Sequence, residues 1–343
     1  MKPFKSEAEL EAFMSAPSAN VVGLMREIEG DIAILGIAGK VGMTLGMMAV
    51  RAIATAGVNK KVYGVSRFSD AGSRSKLDAL GIETIACDLL DVASVRKLPI
   101  ARNVIFLAGK KFGTVGAQDL TWATNTIAPA NVAEHFASSS IVAFSTGCVY
   151  DFVPSFSGGS VETDDPKPVG EYAQSTLGRE RVFEHYSRTS GTPVCLFRLN
   201  YAIDVRYGVL YDIASKVYGG EPIDLSVGTF NCIWQGDVLE RALLSLKYCT
   251  SPPTVLNITG PETVSVRWTA GEFGRCFGRK PLFTGAEPCG AGGYLANAAK
   301  SIGLFGYPSV TLPDMIDMVA AWVTAGGPSL GKPTHFESTD GRY

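Results

Sequence analysis

The residues most suited to chemistry come early in the chain. Gly36-Ile37-Ala38-Gly39-Lys40-Val41-Gly42 lies between a short apolar run and a long helical pattern. In such a strand–turn–helix setting each glycine has a task. Gly36 permits the tight turn, Gly39 lets backbone approach a pyrophosphate, and Gly42 lets the helix pack closely on the strand. Phosphates then rest on the free N–H groups and positive end of the helix, beside Lys40 and Val41. The pattern therefore predicts dinucleotide binding; the plainer reading is a tight turn and nothing more. Metal chemistry is not expected. The seven cysteines (87, 148, 195, 232, 249, 276, 289) are odd in number and form no CxxC pair, and His135, His185 and His335 are far apart in sequence. Reduced thiols in a cytoplasmic protein are the simplest reading.

The elements that must hold this loop follow a regular alternation. Apolar strands are expected at 32–35, 61–65, 84–87, 103–107, 141–145 and 194–198. Helices are expected from the loop to about 56 and over 73–80, 117–137 and 171–188. Continuous apolar strands alternating with helices predict an α/β fold, a parallel sheet covered on both faces. Ahead of it, 1–30 reads as a helical extension, with Ser6 and Glu9 as a capping box. Beyond 199 the rhythm loosens: a helix over 208–219, a strand near 230–234, a helix over 237–248 and a strand at 255–258. The expected organisation is a core over 31–199, joined again by 228–259, and a smaller lobe from 200–227 and 260–343.

The 343 residues carry 31 Lys+Arg and 33 Asp+Glu, a net charge of −2. That balance offers no field to recruit nucleic acid or an anionic membrane. No apolar run is long enough to span a bilayer, and the polar N-terminus does not read as a signal peptide.

The G-x-x-G-x-x-G spacing, taken with further motifs in order, resembles the extended short-chain dehydrogenase/reductases, the NAD-dependent epimerase/dehydratase family, over most of 31–325. The resemblance implies a Rossmann-type doubly wound parallel sheet with a smaller C-terminal substrate lobe. It places Asp88, with Leu89, beside the cofactor adenine, Leu107-Ala108-Gly109 beneath its ribose, and Asn125 in the following helix. Strand two ends in Arg67, where an acid usually accepts from the ribose of NAD; a guanidinium suits a 2′-phosphate, so NADP is favoured over NAD.

Phe144-Ser145-Thr146-Gly147-Cys148-Val149-Tyr150 is similar to the family's S-[ST]-x-x-V-Y segment, which puts the catalytic hydroxyl on Thr146 and Cys148 near the substrate. Tyr172, 26 residues on, matches the tyrosine of Y-x-x-x-K and implies proton transfer at the substrate oxygen. The lysine is missing: Thr176 stands in its place, and a neutral hydroxyl can bond a ribose but cannot stabilise phenolate. Three readings stand. A cation such as Lys110, Lys111 or Arg179 substitutes; the tyrosine acts without full ionisation; or the chain binds cofactor without turning over.

On the substrate side, Arg198-Leu199-Asn200-Tyr201 is similar to R-x-x-N-x-Y-G, with Asn one residue early. Asn200, Tyr201 and Arg206 join Lys110 and Lys111 as candidate substrate residues, and Asp237 is expected as an N-cap. The segment 226–233 has no cation to grip a diphosphate, which argues for a free sugar, polyol, sugar acid or lactone over a nucleotide-linked one. Two functions are carried forward: hydride exchange at a secondary alcohol or ketone of a carbohydrate, or a non-catalytic NADP-binding sensor or assembly partner. A homodimer through the helices near 117–137 and 171–188 is implied by the resemblance alone.

Overall fold

In the computed structural model every residue is described apart from 1, 2, 70, 112, 115, 288, 289, 291, 333, 339, 340, 342 and 343, with backbone alone at 71, so Cys289 lies outside the described residues. Two helices, α1 (Glu7–Met14) and α2 (Ala19–Glu27), come first. Ser6 caps α1 by accepting from the Glu9 N–H at 3.2 Å. The strands β1 (Ile32–Leu35), β2 (Val62–Ser66), β3 (Glu83–Ala86), β4 (Asn103–Phe106), β5 (Ser140–Thr146) and β6 (Val194–Leu199) then alternate with helices. With the edge strand Thr254–Ile258 they make one seven-stranded parallel sheet, in the order edge–β6–β5–β4–β1–β2–β3.

The order reverses beside β1, whose Leu35 pairs with Val65 of β2 on one side and Phe106 of β4 on the other. A crevice opens there at the carboxyl ends of the strands, where open α/β sheets take ligands. The helix α3 (Lys40–Ala56) starts from that crevice and ends on Gly57 in the left-handed conformation. Both faces of the sheet are covered, so β1 and β4 are buried at every residue.

A second apolar cluster lies apart from the sheet. Ile213 and Val217 of the helix Val209–Gly219, Phe273 of Val266–Phe277 and Trp322 of Leu312–Thr324 pack together in it. Leu10 and Met14 of α1 belong to this cluster, whereas Val21, Leu24 and Met25 of α2 belong to the core over β1. The N-terminal helices thus join the two cores.

Three local expectations are corrected. The helix over 117–137 is not uniform: a π-helical turn, Ala123–Ile127, separates Gln118–Trp122 from Ala128–His135. The strand near 230–234 is two short strands. Thr229–Phe230 pairs with Val264–Ser265 and Ile233–Trp234 with Ala202–Ile203, so neither returns to the large sheet. Asp237 is no N-cap: Trp234 holds that place, and the Asp237 carboxylate accepts instead from the Ser309 and Val310 amides at 2.8 and 3.4 Å.

Candidate functional site

The glycine loop makes a cradle that side chains would fill. Gly36 has φ +93, and a Cβ there would lie 2.7 Å from the Ala108 nitrogen. A Cβ on Gly42 would lie 2.5 Å from the Ile37 carbonyl oxygen. Gly39 is the N-cap of α3 and gives that helix no side-chain cap, so its first amides face the crevice unbonded by one. This is the donor set that a dinucleotide pyrophosphate needs, and the residues fit NAD.

A cavity of about 260 Å³ adjoins the loop. Lys40 and Val41 enter its wall from α3, Leu107, Gly109 and Lys111 from the end of β4, and Thr146 and Cys148 from the end of β5. Tyr172 and Arg179 come from the helix Gly170–Ser190, and Asn200 and Tyr201 from beyond β6. Thr146 and Tyr172 share that wall: the Thr146 hydroxyl is near enough to the phenol to hold its pKa down, and it accepts from the Cys148 N–H at 3.2 Å. Burial pushes the Tyr172 phenol up. Lys111, whose ammonium is 5.8 Å from the ring centroid, pulls it down, as do the Thr146 hydroxyl and Arg179. At neutral pH the phenol is therefore protonated, a donor ready for a substrate oxygen.

Lys40 turns towards the substrate side. Its ammonium sits 3.8 Å from the centre of the Tyr207 ring and donates to the Ala202 carbonyl at 3.3 Å. Burial lowers its pKa to about 7, with Asp204 opposing the fall and Lys111 adding to it. Arg179 lies deeper. Burial lowers it to about 10, which leaves it charged at neutral pH. Lys40, Lys111 and Arg179 line the cavity together, and no carboxylate is among the described lining residues.

Several expected residues go elsewhere. The Thr176 hydroxyl donates to the Tyr172 carbonyl at 2.8 Å, a bond inside the helix, so it does not take the lysine's place toward a ribose. Arg206 is no substrate contact: it forms a buried pair with Asp204 at 2.7 Å and reaches Glu7 of α1 at 2.9 Å. Lys110 is used through its backbone, with its N–H donating to Asn125 Oδ1 at 3.0 Å and its carbonyl accepting from Nδ2 at 3.2 Å. Asn200 stays in the cavity wall, but its amide nitrogen is taken by Asn231 and the Tyr294 carbonyl, both at 2.7 Å. Arg67 and Asp88 are exposed beyond β2 and β3, with Asp88 accepting from the Leu90 N–H at 3.0 Å. Leu89 is buried in the core beneath β3 and Ala108 packs against that core.

Sequence reasoning missed Tyr207, Gly208 and Thr334 in the wall. Tyr207 had a signal, since it follows Arg206. Thr334 had none, because only the tertiary fold brings it to the cavity.

The profile of the NAD dependent epimerase/dehydratase family matches residues 32–203, just over half of the chain. The chain belongs to this family. It is an NAD-dependent epimerase/dehydratase of the extended short-chain dehydrogenase/reductase type, with the G-x-x-G-x-x-G cradle and the Thr146–Tyr172 pair in its cavity. No curated protein sequence matches it. Solved structures of the same fold include UDP-glucose 4-epimerase from Thermotoga maritima with UDP-glucose, at 17% identity and TM-score 0.70, covering 86% of this chain and 99% of that one. The Thermus thermophilus UDP-glucose 4-epimerase complex with NAD shares 20% identity at TM-score 0.67, over 84% and 97%. UDP-glucuronic acid 4-epimerase from Bacillus cereus with NAD shares 18% at TM-score 0.68, over 86% and 99%. The expected alternation of strands and helices is the fold they share.

Proposed function

We propose that this family member exchanges hydride at a secondary hydroxyl of a sugar, as an epimerase or dehydratase whose cofactor is NAD. The observation that carries the reading is that Thr146 and Tyr172 line one cavity that adjoins the glycine cradle. Gly36, Gly39 and Gly42, with Lys40 and Val41 at the start of α3, would hold the pyrophosphate. Leu107, Ala108 and Gly109 would run beneath the ribose. NAD supplies a reversible acceptor for hydride from carbon. Thr146 orients the substrate oxygen, and Tyr172 gives or takes its proton. Cys148 and Tyr201 border the space left for the sugar.

Among the sugars, a nucleotide-linked one is the better-supported choice: solved structures of this fold hold UDP-glucose and UDP-glucuronic acid. The cation-free segment 226–233 favours a free sugar acid as the second reading, with Lys40 and Lys111 as its anion contacts. NAD in complexes of the same fold outweighs the sequence preference for NADP, which rested on Arg67 alone.

The test is product analysis with NAD and a panel of UDP-glucose, UDP-glucuronic acid, glucuronate and free hexoses. Tyr172→Phe and Thr146→Ala should each lower turnover roughly 10²- to 10⁴-fold. Full activity in Tyr172→Phe would refute the reading. Tight NAD binding with no product from any sugar would favour a non-catalytic role.

A further inference from the structure

The family pattern puts a lysine four residues after the tyrosine, and here that place is closed. Thr176 is buried and its hydroxyl proton is used inside the helix. Two cations from other positions share the cavity wall with Tyr172. Lys111 approaches from the turn after β4. Arg179 stands seven residues past Tyr172, almost two full turns, hence on the same face of the helix. Long helical side chains lean toward the N-terminus, which carries its guanidinium back toward positions 172 and 176.

That guanidinium is held at two of its nitrogens. Nη1 donates to the Phe144 carbonyl at 2.8 Å and Nη2 to Asn125 Oδ1 at 2.7 Å, while Nε is buried with no partner. Gly109 leaves the space, since a Cβ there would lie 2.3 Å from Nη2. Asn125 reaches the group from the π-helical turn, and its amide bonds both the N–H and the carbonyl of Lys110 and the Ser175 hydroxyl. Arg179 is thus fastened, through one asparagine, to the backbone that immediately precedes Lys111.

We propose that the missing lysine's work is divided: Lys111 supplies the charge that favours the ionised form of Tyr172, and Arg179 is a positioning residue that clamps the turn carrying Lys111. The inference rests on Tyr172 being the proton-transfer group. Among the influences that lower the Tyr172 phenol, the charge of Lys111 is the largest, ahead of the Thr146 hydroxyl and of Arg179 itself. The other titratable groups among the described lining residues are Cys148 after β5, Lys40 on α3 and the phenols of Tyr201 and Tyr207. Cys148 acts in the opposite sense.

The test needs no substrate. Ultraviolet titration of the cofactor-free chain, with Tyr172→Phe as the difference reference, reads the phenol directly. Lys111→Met should raise its midpoint by about one unit. Lys111→Arg should hold it, and Thr176→Lys added to Lys111→Met should bring it back. Arg179→Met should make the Lys110 amide exchange with solvent about tenfold faster. A Lys111→Met midpoint equal to the parent's, in protein with unchanged circular dichroism, overturns the charge assignment. Unchanged Lys110 exchange in Arg179→Met overturns the clamp. If the titrations move as expected while Tyr172→Phe keeps full turnover, the proposed function fails and the electrostatic arrangement stands.

Discussion

Removing Glu180 should unsettle the molecule more than any surface carboxylate. It lies on the helix Gly170–Ser190, one residue past Arg179, and is fully buried. Its two oxygens accept from Arg198 Nε at 2.9 Å and Nη2 at 2.7 Å, a bidentate pair with side chains 0% and 4% exposed. The Ser145 hydroxyl donates to the same carboxylate, one residue before Thr146. Arg198 also donates to the Tyr150 hydroxyl at 2.6 Å, and Tyr150 donates to Asn257 at 2.8 Å. Glu180→Ala leaves the guanidinium buried with no counter-charge, at a cost of about 3–5 kcal/mol. A chain of this kind has roughly 5–15 kcal/mol in all. With a urea slope near 3 kcal/mol per molar, the unfolding midpoint should fall by about 1–1.7 M. The double variant Glu180→Leu/Arg198→Met removes both charges and should cost clearly less than the two single losses added together. Urea denaturation followed by circular dichroism measures all of these. A Glu180→Ala loss under about 1 kcal/mol, or strict additivity in the double variant, would show that the pair is not desolvated as described.

Two further outcomes are expected. Lys40 titrates near 7 in the free chain, below its ordinary 10.5, so folding adds stability as pH rises through that window. An anion at the start of α3 favours the charged form; NAD binding should therefore take up a proton above pH 7 and weaken as pH rises, and Lys40→Met should flatten the dependence. Calorimetry in buffers of different ionisation heat checks this, and equal proton uptake in both proteins would refute it. Gly109→Ala puts a methyl 2.3 Å from the Arg179 guanidinium and 3.1 Å from Asn125 Oδ1. It should cost about 1–3 kcal/mol of stability, and a thermal midpoint equal to the parent's would show that the clamp has slack.

The order of strands and helices was written locally, so the chain could be read without knowing its folded shape. Each apolar run and each helical stretch carries its own periodicity, and the glycine cradle is seven adjacent residues whose spacing is the requirement itself. Thr146 and Tyr172 were legible only through the resemblance, whose S-[ST]-x-x-V-Y and Y-x-x-x-K motifs they match, and the fold brings both into one cavity wall. What the sequence left open was the partner of each charge. Arg206 looked available until α1 brought Glu7 to it from 199 positions away, and Lys110 and Lys111 looked equivalent until Asn125 took the backbone of the first. The π-helical turn that aims Asn125, the pairing of Glu180 with Arg198 and the arrival of Thr334 at the cavity all depend on contacts between distant segments. Side-chain direction and charge pairing are settled by which neighbours exclude water, and those neighbours exist only once the sheet, the long helix and the second cluster have closed around them.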